Sequence, residues 1–78
     1  MASLAKAVEL LATGQWHEAH LIVQDDESPL GAWLHGIVHT LEGDLDNARY
    51  WYDRAGAPFS ESEDVGKEIQ NIEALVNR

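Results

Sequence analysis

The sequence predicts an all-α protein of five helices, arranged as two tandem helix-turn-helix units closed by a C-terminal helix. Three observations carry that expectation. The chain repeats itself at a constant offset of 29 residues, with Gly14 matching Gly43, Ala19 matching Ala48 and Pro29 matching Pro58. Apolar residues recur at helical spacing, as in Leu4, Val8 and Leu11 and again in Val65, Ile69, Ile72 and Val76. No run alternates apolar and polar residues as a strand would.

The first helix is expected over residues 3–13, where Leu4, Val8 and Leu11 share a face, and Gly14 stops it. The second, over about 16–25, carries Trp16, Ala19 and Val23 on one stripe and ends in the acidic turn Asp25, Asp26, Glu27. Ser28 followed by Pro29 is an N-cap and a first-turn proline, the start of a helix running to about Glu42. Gly43 ends that helix in the left-handed conformation that glycine tolerates, and Asp44 caps the next, which runs to Ala55 before Gly56 and Pro58 break it. Ser60 and Glu63 form a capping box for a last helix. The chain thus reads as one domain over 1–78, with repeat one at 3–29, repeat two at 30–58 and a C-terminal helix at 60–78. That helix is expected to cover the open end of the second hairpin, because terminal repeats need a cap.

Composition excludes more than it identifies. At 78 residues the chain buries only about 60% of the surface its unfolded form exposes, so the core is thin. Five basic against fourteen acidic residues give a net charge of −9, with no basic footprint for nucleic acid. There is no cysteine, which removes disulfides, thiolate metal sites and thiol chemistry. The apolar N-terminal run is interrupted by Glu9 and lacks a basic flank, so it reads as a mature helix instead of a signal sequence. No apolar stretch reaches the roughly 20 residues that span a bilayer. The expectation is a cytoplasmic protein with no membrane partner.

Gly14, Trp16, Ala19 and Pro29, with Gly36, Gly43, Leu45, Ala48 and Pro58 in the second unit, form a pattern that resembles the tetratricopeptide repeat. The resemblance covers about residues 3–58 and implies TPR-like hairpins. Its period is 29 residues where that repeat has about 34. The runs Trp16-His17-Glu18-Ala19-His20, Trp33-Leu34-His35-Gly36-Ile37-Val38-His39, Glu42-Gly43-Asp44 and Asn47 through Gly56 also resemble a family of short, uncharacterised bacterial and fungal proteins. That second resemblance implies a fold and no activity.

The histidines are the most informative polar residues. His35 and His39 stand at i, i+4 with Glu42 at i+7, so the three share one face of the third helix. At about 100° per residue that face lies away from the stripe of Leu30, Trp33, Leu34, Ile37 and Leu41, which exposes the histidines. The repeat points the other way, because the third helix lies between the second and the fourth and turns the pair toward His20 or toward the Asn47, Trp51 side of helix four. Three uses of the cluster follow. The rings can be hydrogen-bonded at a helix seam. With Glu42 and Asn47, and Trp51 and Tyr52 as walls, His20, His35 and His39 can form a small polar pocket. Alternatively His20, His35, His39 and Glu42 can hold a metal ion. The zincin signature needs a glutamate directly after the first histidine, and Gly36 stands there, so that route to hydrolysis lacks its base.

No other constellation suggests catalysis. Ser3, Ser28, Ser60 and Ser62 sit at helix starts where capping accounts for them, and the acidic residues of the turns are solvated or face helix N-termini. His17 and Glu18 read as solvated. Tyr50, Trp51 and Tyr52 point in three directions around one helix, so at least one ring is left over for a partner; Trp33 and either Tyr50 or Trp51 are expected to form an apolar patch. The leading functional expectation is a non-enzymatic interaction module that binds another protein or a second copy of itself, with no cofactor. The alternative is a small-molecule or metal-binding protein using His20, His35, His39 and Glu42.

Overall fold

The computed structural model describes residues 3–59 and 65–76. Its helices are α1 (Leu4–Ala12), α2 (Trp16–Val23), α3 (Pro29–Glu42), α4 (Leu45–Ala55) and α5 (Val65–Val76), and no strand occurs among the described residues. The protein is all-α. The expected capping box at Ser60 and Glu63 lies outside the described residues.

The helix ends follow from local chemistry. The Ser3 hydroxyl accepts from the Lys6 N–H at 3.3 Å, and the Ser28 hydroxyl accepts from the Gly31 N–H at 3.0 Å with Pro29 in the first turn. Asp44 accepts from the Asn47 N–H at 3.3 Å and opens α4. Gly43 ends α3 at φ +93°, where a side chain would be strained, and its N–H donates back to His39 and Thr40. Helix α2 stops two residues before its expected end, because the acidic turn is recruited into the start of α3. There the Asp26 carboxylate accepts from the Ser28 N–H at 2.9 Å and from the Ser28 hydroxyl, and those bonds hold its pKa below the ordinary carboxylate value.

Consecutive helices pack as antiparallel neighbours would: α1 pairs with α2, α3 with α4, and α2 against α3 joins the two hairpins. Ala7, Val8, Leu11, Ala19, Val23, Leu34, Ile37, Val38, Tyr52, Ile69 and Ile72 form one buried cluster. Helix α5 does not cover the open end of the second hairpin as expected. It lies against α1, with Ile69 and Ile72 buried. The second hairpin is reached instead by a side chain: Glu68 Oε1 accepts from the Trp33 indole N–H at 2.5 Å and from the Tyr52 hydroxyl at 2.6 Å. One carboxylate thus fastens α5 to α3 and α4, and it satisfies two polar atoms that would otherwise be costly at the edge of the core.

Candidate functional site

Helix α3 is contacted on two sides, by α2 and by α4, and this decides where its histidines go. His35 is 4% exposed and His39 8% exposed, so reading the helix from its apolar stripe alone placed them on the wrong side of the surface. Close approach of α4 is possible because Gly36, between the two histidines, has no Cβ. A Cβ there would stand 2.6 Å from the Tyr52 ring and 3.3 Å from the Ala48 carbonyl oxygen, and Ala48 is itself fully buried. The small residues that mark the repeat therefore let α4 bring Trp51 onto His35, where the rings stack with centroids 3.9 Å apart and 11° between planes.

His20 completes the seam from α2. Its Nε2 faces the Nε2 of His35 at 3.1 Å, and the His39 ring lies 4.9 Å from His35 and 5.5 Å from His20 by centroid. Two ring nitrogens this close share one proton. The other nitrogen of His35, Nδ1, is buried with no hydrogen-bond partner. A buried acceptor without a partner is tolerated better than an orphaned N–H, so Nδ1 carries the lone pair and Nε2–H donates to His20. On the far side of the cluster His39 Nδ1 meets Glu42 Oε1 at 3.1 Å.

Burial is the main reason that His35 resists protonation; the neighbouring His20 and His39 add to it, and together they push its pKa down to about 4. The pKa of His20 is lowered too, first by burial and then by His39, with Glu42 opposing and His17 adding a little. The seam is thus a set of imidazoles with His35 held neutral at pH 7. A depression of about 200 Å³ lined by Gln24, Asp26, Glu27, Ala32, Trp51 and Arg54 adjoins Trp51.

Of the residues expected at a site, His20, His35, His39 and Trp51 come together, and Glu42 touches the group only through His39. Asn47 does not join them: it is exposed, and its side-chain amide donates to Asp44 Oδ2 at 3.1 Å, extending the cap of α4. Trp33 is half buried against the core with its N–H on Glu68, and so leaves the expected apolar patch. Tyr50 remains 52% exposed, edge-on to Trp51, with the Arg54 guanidinium 5.7 Å over its ring. Sequence reasoning missed Glu68. Its position directly before the buried Ile69 was the available signal, since a carboxylate at the border of an apolar stripe is well placed to meet indole and phenol donors.

No helix of the described residues is long and apolar enough to cross a membrane. No family model, curated protein or solved structure matches the chain.

Proposed function

We propose that the chain is a non-enzymatic helical-hairpin module that binds a small ligand through the seam of His20, His35, His39 and Trp51. One observation carries this reading: three imidazoles from two hairpins converge in a nearly closed seam while a buried nitrogen of the central ring is left without a partner. A seam built only to hold helices together would satisfy its polar atoms or do without them, since an unpaired buried group costs stability. The depression beside Trp51 borders the indole that stacks on His35.

The test is His35→Phe, which keeps a flat ring against Trp51 and removes the unpaired nitrogen. Stability at pH 7, measured by urea unfolding, is expected to stay level or rise by up to about 1 kcal/mol. A loss of more than about 1 kcal/mol would mean that His35 is there for folding, and the binding reading would fall.

A second reading is favoured by Tyr50, whose ring stays exposed on the outer face of α4 beside Arg54. That face suits docking to another protein, a second copy included. Sedimentation at high concentration is then expected to show a dimer that Tyr50→Ser disperses, and a monomer throughout would remove self-association.

A further inference from the structure

We propose that the seam's ligand is a single divalent transition-metal ion of the kind that favours imidazole, zinc foremost, held by His20 from α2 and by His35 and His39 from α3. The proposal rests on the seam being a binding site and names what it binds. Each of the three histidines offers one ring nitrogen, and these atoms all lie within 4.8 Å of one another. A tetrahedral zinc with bonds of about 2.0–2.1 Å places its ligand atoms about 3.4 Å apart. The His20–His35 edge, at 3.1 Å, is already that short, and side-chain rotation of about 1.4 Å closes the widest edge the cluster allows.

The protonation pattern suits a metal as well. The two facing Nε2 atoms hold one proton between them; a cation that takes a lone pair from each displaces it, and His35, as a neutral ligand, then carries its ring proton on Nδ1. On His39 the carboxylate of Glu42 holds Nδ1–H and leaves Nε2 with its lone pair, which is the carboxylate–histidine arrangement that fixes the tautomer of a metal ligand. Glu42 is therefore a positioning residue and not a fourth ligand. The alternative grouping of His39 with Glu42 and Asp44 is weaker, because Asp44 is already engaged by the backbone and side chain of Asn47.

Donor chemistry narrows the metal. Three nitrogens and no oxygen exclude calcium and magnesium, which take oxygen ligands, and without cysteine nothing favours a thiolate-seeking ion. A chain of net charge −9 also draws cations toward it. Three protein ligands leave one position of a tetrahedron to water or an outside ligand. Because His20 belongs to the first hairpin and the other two to the second, the ion also ties the hairpins together.

The test uses the untagged full chain, stripped with a chelator and titrated with zinc by calorimetry, with cobalt as a spectroscopic reporter. The expected result is one ion per chain at micromolar affinity or tighter, a higher melting temperature with zinc, and the visible absorption of tetrahedral cobalt. His20→Gln and His39→Gln should each weaken binding at least tenfold while circular dichroism shows native helix content. Glu42→Gln should weaken it about tenfold with the stoichiometry still one, and His17→Gln, an exposed histidine outside the seam, should change nothing. Absence of saturable zinc binding by the native chain, or binding that survives both seam substitutions, overturns the proposal. If zinc fails while His35→Phe leaves stability intact, the seam still reads as a binding site and the ligand is of another class; if His35→Phe unfolds the chain, the underlying reading falls as well.

Discussion

Gly36→Val is expected to cost about 3 kcal/mol or more of folding stability. The new Cβ would lie 2.6 Å and 2.9 Å from two carbons of the Tyr52 ring and 3.3 Å from the Ala48 carbonyl oxygen. Neither neighbour yields easily. Tyr52 is 2% exposed and its hydroxyl is fixed on Glu68, while Ala48 O belongs to the backbone of α4. Overpacking of this kind costs about 1–3 kcal/mol and more when backbone must move; the gain from replacing glycine in a helix, at most about 1 kcal/mol, does not offset it. Moving α4 outward would also lift Trp51 off His35. The prediction is checked by urea unfolding of the variant together with its Trp fluorescence. Gly36→Ala should fall between wild type and Gly36→Val, and a Gly36→Val protein as stable as wild type would show that α3 and α4 do not approach as closely as described.

Acidification from pH 7 to 4 is expected to remove up to about 3 kcal/mol of stability from the metal-free protein through His35 alone. With a folded pKa of about 4 against an unfolded value near 6.5, the ring is neutral in both states above pH 6.5 and no stability depends on it. Between 6.5 and 4 the unfolded chain binds a proton that the folded chain refuses, so stability falls as pH falls, and it levels off for this group below 4. His20, whose pKa is also lowered, acts in the same direction. Asp26, held below its ordinary value by Ser28, has its effect lower, as its carboxylate is protonated, so the loss above pH 5 belongs to histidine. Melting curves across pH 4–8 for the parent and for His35→Phe check this, and the variant should lose much of the acid sensitivity. Parallel curves would mean that the folded protein does not bury His35 as a neutral ring.

The elements were legible in the sequence because their boundaries are set locally. Ser28 with Pro29, Gly43, Asp44 and Gly56 each act within one turn of chain, and each stands at a helix end. The fate of the histidines was not legible in the same way. His35 and His39 lie off the apolar stripe of their own helix, and only the packing of α2 and α4 on either side of α3 buries them. The repeat hinted at this, since Gly36 and Ala48 are small where two helices must meet. Asn47 and Trp33 went elsewhere for reasons of tertiary geometry: one cap at Asp44 and one carboxylate from α5 claimed them first. The placement of α5 against α1 depends on contacts far apart in sequence, which helical periodicity does not encode.

The central claim is that imidazoles from two hairpins form one closed cluster, and the most direct measurement of it is a pH titration of the histidine ring signals of the metal-free protein by two-dimensional proton–nitrogen NMR. The account predicts that His35 stays neutral until about pH 4, with Nε2 protonated and Nδ1 bare, that His20 titrates below the ordinary value, and that the shifts of the two are coupled. If His20 and His35 instead titrated independently near 6.5 with averaged tautomers, the rings would be separate and solvated, and the seam would not exist.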